Sequence, residues 1–307
     1  MRCLQICLAD WRGWNMKLYN LGSLNIDYVY QVDHFVKPGE TLASDDMRIF
    51  PGGKGLNQSI ALARAGAMVI HGAVLGGDGD FLLRTMEASG VDTSRIAKTE
   101  YPSGHAIIQV DKSGQNSILL FSGTNSRVDR TYVESFLAGA QEGDILLLQY
   151  EISCMDVIFE VAHERKMQIA FNPSPYTPTI KELPLHYVSW WFCNEIEGEA
   201  MFGGKTPQQI AENFAIQYPQ SNLILTLGQE GSLFKNKQSC ITQPIYPVKA
   251  VDTTAAGDTF TGYFMASVAK GKTAAEAMDL AARAASVTVS RLGAAESIPY
   301  ISDLQKG

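Results

Sequence analysis

Short apolar runs alternate with helical patterns along most of the chain. The runs predict strands at 18–21, 69–75, 145–148, 169–171, 188–192 and 223–227. Apolar positions three and four residues apart predict helices at 56–65, 81–88 and 155–163, and further helices after Gly257 and Thr273. Such alternation is typical of a mainly parallel sheet with helices on both faces, so the predicted fold class is α/β.

Two segments depart from this alternation. Residues 28–35 alternate with period two, and the runs 104–110 and 117–121 flank a polar turn at 111–116. Period-two alternation predicts strands with one exposed face, and the second pair is typical of a β-hairpin. From the residues alone, both segments are expected at an antiparallel edge of the sheet.

A small-residue turn with one carboxylate precedes a predicted helix near the C-terminal end. Within VDTTAAGDTF, residues 255–258 occupy the first turn, because Phe260, Phe264 and Val268 recur at helical spacing. A first turn exposes unpaired N–H groups and a partial positive charge, and small residues let an anion approach them. Asp258 adds a base beside that anion site, a pairing suited to phosphoryl transfer. The alternative is an ordinary helix start with an acidic first-turn residue.

A glycine-rich turn precedes another helix after Phe50. In PGGKGLNQ, Gly53 and Gly55 flank Lys54, and Asn57 follows in the first turn of the predicted helix. A lysine in such a turn is a plausible contact for a phosphate or a polyol, although many glycine turns are purely structural.

Two polar residues follow the first predicted strand. Asn25 and Asp27 lie in GSLNID, beyond the carboxyl end of the run 18–21. Because open α/β sheets bind ligands at that end, these side chains are candidate ligand contacts.

Composition narrows the function classes. The chain has 307 residues, of which 46% are hydrophobic, which is ample for a buried core. A net charge of −7 argues against nucleic acid and anionic membranes as partners. The five cysteines are scattered without CxxC spacing, which indicates a reducing, cytoplasmic setting. Neither a GxGxxG dinucleotide motif nor a GxxxxGK[ST] P-loop is present in the sequence.

Five motifs together carry a family resemblance. GSLNID, GGKGLNQ, NEIE, LTLG and VDTTAAGDTF, in this order and spacing, resemble the ribokinase family of carbohydrate kinases across about residues 18–300. The resemblance implies a ribokinase-like sandwich, with a small β lid formed near 26–51 and 101–123 that also serves dimerisation. Residues 16–307 are then the kinase domain. Residues 1–15 are expected to be an N-terminal extension or the product of a misplaced start codon.

The resemblance implies an activity and a set of site residues. The expected reaction is ATP-dependent phosphorylation of the primary hydroxyl of a pentose, with D-ribose giving ribose 5-phosphate as the leading case. Asp258 is the implied base, with an anion hole formed by Ala255, Ala256 and Gly257. The implied sugar contacts, which also include Asp258, are Asn25, Asp27, Gly53, Lys54, Gly55, Asn57 and Glu151.

The same resemblance implies sites for ATP, Mg²⁺ and K⁺. The nucleotide contacts are Asn194, Thr226, Gly228, Gly231, Gly257 and Ala282, and Glu197 is associated with magnesium. The monovalent-cation site maps to Asp252, Thr254, Thr288, Arg291, Gly293 and Ser297.

Several alternatives stay open from the residues alone. Glu151 also fits an exposed acid leading a helix, Asn194 also fits an ordinary N-cap, and TLGQEG also fits a plain turn. His105, in the lid, either touches substrate or faces solvent. Deoxyribose, another pentose, a ketohexose or a nucleoside are alternative acceptors. A non-catalytic sugar sensor is disfavoured because it would not need the base Asp258.

Overall fold

The central sheet is built from short apolar strands that are covered on both faces. In the computed structural model, which describes residues 16–305, the strands are β1 (Leu18–Leu21), β2 (Asn25–Gln31), β3 (Asp46–Gly52), β4 (Val69–Gly72), β5 (Val74–Gly76), β6 (Ala97–Thr99), β7 (Gly104–Val110), β8 (Asn116–Phe121), β9 (Ile145–Gln149), β10 (Gln168–Asn172), β11 (Val188–Asn194), β12 (Asn222–Thr226), β13 (Ser232–Lys235) and β14 (Cys240–Gln243).

The α-helices are α1 (Lys54–Arg64), α2 (Asp80–Ala88), α3 (Arg130–Phe136), α4 (Met155–Glu164), α5 (Glu195–Phe202), α6 (Pro207–Gln217), α7 (Ala256–Ala269) and α8 (Ala274–Val289). Short 3₁₀ helices lie at Gly77–Gly79, Gly123–Arg127, Pro178–Glu182, Leu185–Tyr187, Gly228–Glu230 and Ile301–Gln305. Among the described helices, none combines the length and apolar character needed to cross a bilayer.

The eight-stranded sheet has the order β14-β13-β12-β11-β10-β9-β1-β4. Every pair from β12 to β4 is parallel, and β13 and β14 add an antiparallel edge. The predicted α/β class with a mainly parallel sheet is therefore confirmed. Because the strands are parallel, their carboxyl ends meet along one edge of the sheet, where the candidate residues follow them.

Alternate residues of each buried strand enter opposite cores. On β9, Ile145 and Leu147 belong to the core with α1, α2, α7 and α8, whereas Leu146 and Leu148 belong to the core with α3 to α6. In the first core, α1 and α7 cross closely at Gly262. A Cβ at that position would lie 2.4 Å from Cβ of Ala61.

A separate four-stranded sheet has the order β3-β2-β7-β8. The hairpin expected at 104–121 forms as β7 and β8. The expectation of an antiparallel edge on the main sheet is wrong, because β2 pairs in parallel with β7 in this separate sheet. The period-two strand also ends earlier than predicted, at Gln31, because the chain bends at Asp33 and His34 and leaves the sheet.

The strand predicted over 69–75 is in fact two strands. β4 belongs to the central sheet, whereas β5 pairs with β6 in a two-stranded sheet. Between them, Ala73 donates its N–H to the hydroxyl oxygen of Tyr132 at 2.7 Å instead of to a neighbouring strand. The predicted extension at 1–15 lies outside the described residues.

Candidate active site

The carboxyl ends of β1 and β9 lie side by side and bring the segments that follow these two strands into contact. The hydroxyl of Ser23, after β1, donates to Oε2 of Glu151, after β9. The same oxygen accepts the N–H of Lys54 at 3.0 Å. Glu151 is therefore not the exposed helix-leading acid of the alternative interpretation, because its carboxylate joins the β1 loop to the glycine turn.

Two glycines allow α1 to begin against the loop after β1. Gly53 has φ of 97°, a left-handed conformation that favours glycine. A Cβ on Gly55 would lie 2.4 Å from the backbone nitrogen of Ser23, which no side chain could tolerate. The N–H of Leu56 then donates to the Ser23 carbonyl at 3.0 Å. The glycine turn thus fixes Lys54 over the carboxyl edge of the sheet.

Asn25 and Asp27 project from β2 beside this turn. The Asp27 carboxylate occupies the space above Gly52, where a Cβ would lie 2.0 Å from its Oδ2. Burial, followed by repulsion from Glu151 and Glu296, raises the pKa of Asp27 to about 7. Asp27 is therefore a carboxyl group that changes its charge near neutral pH.

Both carboxylate oxygens of Asp258 are held by side chains from α1. Asn57 Nδ2 donates to Oδ2 at 3.1 Å, and Gln58 Nε2 donates to Oδ1 at 2.9 Å. The Asp258 residue is 8% exposed. The fold therefore brings the residue predicted as base against one of the predicted sugar contacts, Asn57.

Lys54 is the cation among these carboxylates. Burial acts to lower the pKa of Lys54, but attraction to Asp258, Glu151 and Glu197 outweighs it and raises that pKa. The ammonium group therefore stays charged, and Lys54 also lines the cleft described below.

The turn before α7 presents backbone donors to the cleft. Ala255 has φ of 60°, a strained left-handed conformation for a residue with a side chain, and the helix begins at Ala256. Within the described residues, the N–H groups of Gly257 and Asp258 have no backbone or side-chain acceptor. The N–H of Ala256 instead donates to the Thr253 carbonyl at 3.3 Å. The N–H of Ala255 likewise has no acceptor within the described residues, so Ala256 is the one predicted anion-hole residue whose N–H is used inside the protein.

A cleft of about 880 Å³ opens beside this turn. Lys54 and residues 255–258 line this cleft. The other predicted nucleotide contacts and the predicted magnesium-associated residue also line it: Asn194, Thr226, Gly228, Gly231, Ala282 and Glu197. TLGQEG is also the turn between antiparallel strands β12 and β13, so its structural and nucleotide-binding interpretations coexist. The other predicted sugar contacts are not part of the lining of this cleft, but Asn57 bonds to Asp258 and Glu151 bonds to the backbone of Lys54.

Asn194 and Glu197 form a capping box at the start of α5. Asn194 Oδ1 accepts the N–H of Glu197 at 2.9 Å, and Glu197 Oε2 accepts the N–H of Asn194 at 3.0 Å. The N-cap interpretation of Asn194 is therefore correct. Both residues also line the cleft, so capping and a role toward the nucleotide are compatible.

The predicted cation residues lie in the loop before α7, in the last turn of α8 and in the loop after α8, and Asp252 joins the two loops. Its Oδ1 accepts the N–H of Thr254 at 2.9 Å and its Oδ2 accepts the N–H of Gly293 at 3.0 Å. Burial acts to raise the pKa of Asp252, but hydrogen bonds from the Thr254 hydroxyl and from these two N–H groups outweigh it, so the pKa is lowered. This carboxylate is thus charged at the junction of the loops, beneath the turn that leads into α7.

Three other side chains of the predicted cation set point to protein partners. The Thr288 hydroxyl contacts that of Thr259 at 3.0 Å, the Arg291 guanidinium lies 3.5 Å from Asp303, and the Ser297 hydroxyl donates to the Ala294 carbonyl at 2.7 Å. The Arg291 guanidinium has no acceptor and cannot ligate a cation, so its contribution would come from its backbone carbonyl oxygen. Within residues 16–305, no three His, Cys, Asp or Glu side chains converge as a metal-binding cluster.

Sequence reasoning missed three residues that shape the site. Ser23 and Gln58 stand inside the motifs GSLNID and GGKGLNQ, where they could have been found beside the residues singled out. Asn125 follows β8 in the 3₁₀ helix Gly123–Arg127 and bonds to Asn25, which no local pattern signals. His105 is half-buried, with its ring against Tyr28 and Phe121.

A base held beside free N–H groups and a cleft is the arrangement of a phosphoryl-transfer enzyme. Comparison with known proteins supports this class of enzyme, because residues 16–301 match the sequence model of the family described as pfkB family carbohydrate kinase. The chain therefore belongs to the pfkB family of carbohydrate kinases, which transfer a phosphoryl group to an alcohol acceptor. The predicted ribokinase-family membership is confirmed.

Individual relatives are similar over almost the whole chain. The ribokinase of Haemophilus influenzae is 35% identical over 288 residues, which cover 91% of this chain and 94% of that protein. The crystal structure of ribokinase from Thermotoga maritima has a TM-score of 0.85 and 36% identity, covering 94% of this chain and 98% of that one. The structure of Arabidopsis thaliana ribokinase complexed with ribose and ATP has a TM-score of 0.85 and 28% identity, covering 95% and 98%.

Proposed function

We propose that this chain is an ATP-dependent kinase that phosphorylates the primary hydroxyl of D-ribose to give ribose 5-phosphate. The observation that carries the proposal is the placement of Asp258 between two sets of groups. The Asp258 carboxylate accepts from Asn57, a proposed sugar contact, while Asp258 itself lines the cleft and belongs to the turn with the free N–H groups. The similarity to a ribokinase complexed with ribose and ATP supports this choice of substrates.

The geometry supports a direct transfer. Asp258 accepts the proton of the sugar hydroxyl while that oxygen forms a bond to the γ-phosphorus of ATP. The bond from phosphorus to the bridging oxygen breaks, and ADP leaves. Lys54 and the N–H groups of Gly257 and Asp258 stabilise the negative charge on the transferring group. Asn25, Asp27, Asn57 and Glu151 orient the sugar, because amides and carboxylates together donate to and accept from hydroxyl groups.

The cleft fits a magnesium ion bound with the nucleotide. Protein sites for Mg²⁺ in kinases supply only one or two carboxylates, because phosphates and water complete the coordination. Glu197 is 7% exposed, lines the cleft and uses one carboxylate oxygen in its capping box. We assign Glu197 to this role, in which the ion would neutralise phosphate charge.

Potassium activation is part of the same proposal. A monovalent cation held by carbonyl oxygens of residues 252–254 and 288–297 would adjoin the turn that presents the free N–H groups. The charged Asp252, which joins these two loops, supports a cation there.

The cytoplasmic location stays a prediction.

A homodimer formed through the lid sheet also belongs to the proposal. On one face of the lid sheet, large apolar side chains in a single row across the strands are exposed: Leu119 at 69%, Ile107 at 37% and Ile49 at 49%. Contiguous exposed apolar surface of this kind marks interaction sites.

The function is tested by ADP formation across a panel of D-ribose, deoxyribose, other pentoses, ketohexoses and nucleosides. D-ribose is expected to give the highest kcat/KM. A higher kcat/KM with another acceptor would change the proposed substrate and leave the proposed phosphoryl transfer in place. Asp258→Asn is expected to lower kcat by about 10²-fold to 10⁴-fold. Asp156→Asn, at an exposed first-turn position of α4, is the matched control and retains activity. The mechanism would be refuted if ADP formation did not depend on added sugar and was unchanged in Asp258→Asn.

A further inference from the structure

A line of buried polar side chains runs beneath the catalytic base. Gln58, Gln149, Asn20, Ser59 and His71 each have 0% exposure. They lie at the packing surface between α1 and strands β1, β4 and β9, where apolar side chains would cost no desolvation. A buried polar network of this extent calls for an explanation, because each member must find a hydrogen-bond partner.

The direction of the network is set at its lower end. Asn20 Nδ2 donates to the Gly55 carbonyl at 2.9 Å and to the Ser59 hydroxyl at 2.8 Å. A backbone carbonyl can only accept, so the Asn20 amide has one orientation, with Oδ1 turned toward β9.

Each further amide is then oriented by the one before it. Gln149 Nε2 donates to Asn20 Oδ1 at 3.1 Å and to Gln58 Oε1 at 2.6 Å. Because the Gln58 oxygen is taken in this way, its Nε2 faces Asp258 Oδ1 at 2.9 Å. The orientation of donors and acceptors that the Gly55 carbonyl fixes is therefore passed on through three amides to the carboxylate of Asp258.

The unpaired atom of the network supports this orientation. Gln149 Oε1 is buried without a partner among the described residues. Reversing that amide would bring Oε1 against the oxygens of Asn20 and Gln58, so the network keeps an orphan acceptor rather than two repulsive contacts. Gly22 makes room for this atom, since a Cβ there would lie 2.2 Å from Gln149 Oε1.

The network carries no charge of its own. His71, at its far end, contacts the Ser59 hydroxyl through Nδ1 at 2.8 Å. Burial lowers the pKa of His71 to about 3, so the ring is neutral at physiological pH. The influence of the network on Asp258 is therefore orientation by hydrogen bonds.

We propose that Gln149 and Gln58 are positioning residues that hold the Asp258 carboxylate in the orientation needed to accept the sugar proton. This inference rests on the proposed kinase function. Without the Gln149 donor, the Gln58 amide is free to turn its oxygen toward Asp258, which removes a donor from the base and repels it. Neither glutamine lines the nucleotide cleft, so substrate binding is not their direct task.

The test compares Gln149→Met, Gln58→Met and the double variant in steady-state kinetics. Each single variant is expected to lower kcat by about 10²-fold, the scale associated with misplacing a reacting group by one ångström. The KM values for sugar and ATP stay near those of the unmodified protein. The double variant is no slower than Gln58→Met, because Gln149 acts only through Gln58.

Gln168→Met is the matched control. Gln168 is a partly buried glutamine at the opposite end of neighbouring strand β10, where its Oε1 accepts from Trp190 Nε1 at 3.0 Å. Losing that bond is expected to lower thermal stability and leave kcat unchanged. If Gln149 had a purely structural role, Gln149→Met would likewise lower thermal stability and leave kcat unchanged.

The outcomes separate the inference from the function on which it rests. Absence of sugar-dependent ADP formation by the unmodified protein would overturn the proposed function. Full kcat in Gln149→Met, or multiplied losses in the double variant, would overturn the positioning role alone. Calorimetric sugar binding reports whether each variant is folded, and Gln58→Met decides the question should Gln149→Met fail to fold.

Discussion

Asn125 Nδ2 donates a hydrogen bond of 2.7 Å to Oδ1 of Asn25. Asn125 Oδ1 in turn accepts the N–H of Leu24 at 3.1 Å, which fixes the orientation of its own amide. Gly104 leaves space for the pair, because a Cβ there would lie 2.2 Å from Asn125 Nδ2. Since Oδ1 of Asn25 is occupied, its Nδ2 is the group left to donate to a sugar oxygen.

Replacing Asn125 is therefore expected to weaken sugar binding selectively. Asn125→Ala should raise the KM for the sugar about fivefold, as for loss of one hydrogen bond of about 1 kcal/mol, with the KM for ATP unchanged. Steady-state kinetics with each substrate varied in turn provides the measurement. Asn116→Ala, at the exposed start of β8, is the control. Equal changes in both KM values would indicate a general loss of structure.

Sugar binding is expected to depend on pH through Asp27. Burial, with Glu151 and Glu296 nearby, raises the pKa of this carboxyl to about 7. The charged form accepts hydrogen bonds from sugar hydroxyls, so the KM for the sugar should increase as the pH falls below about 7. Kinetics over a pH series checks this, and Asp27→Asn should bind weakly at every pH with no such increase.

The same carboxyl makes an opposite contribution to stability. Its pKa is higher in the folded protein than the ordinary 3.8, so folding favours the protonated form. That contribution is fully present below about pH 4 and is lost as the pH rises through about 7. Comparison of Tm against pH for the ligand-free protein and Asp27→Asn isolates it. A Tm difference that does not change between pH 4 and 8 would contradict the assignment.

Glu197→Gln separates a metal role from helix capping. The Gln oxygen can still accept the N–H of Asn194, so the capping box and the Tm should be retained. Loss of the charge should increase the Mg²⁺ concentration required for half-maximal rate. Glu276→Gln, in the exposed capping box that Thr273 forms at α8, is the control and should leave both quantities unchanged. If both variants required the same Mg²⁺ concentration for half-maximal rate, the proposed role of Glu197 in binding the metal would be wrong.

Turnover is expected to be faster in potassium than in sodium or choline buffers. Asp252→Ala should abolish this difference, because it releases the N–H groups of Thr254 and Gly293 and separates the two loops. Rates measured at constant ionic strength provide the test. Identical turnover of the unmodified protein in all three buffers would remove the cation site.

The lid face is expected to form the dimer interface. Leu119→Lys places a charge on a side chain that is 69% exposed and should shift the protein toward monomer in sedimentation velocity. Ile216→Lys makes the same change at a 79% exposed position of α6 and should not. A monomeric unmodified protein would contradict the proposal.

The parts that sequence reasoning predicted are those with local signals. The starts of α1 and α7 follow from the glycines around Lys54 and from the small residues before Asp258, which act within one turn. The split of the strand at Ala73 had no such signal, because its cause is a hydroxyl on Tyr132, 59 positions away. Asn125 was missed for the same reason, since its partner Asn25 is 100 positions distant.

The close crossing of α1 and α7 at Gly262 has a consequence for the reaction. Gly262 lies one helical turn beyond Asp258, and Asn57 and Gln58 lie one turn before its neighbour Ala61. A methyl group at Gly262 would act as a spacer that separates the proton acceptor from the two amides that grip it. Under the proposed mechanism, the rate of phosphoryl transfer is therefore expected to depend in part on a position that bears no functional group.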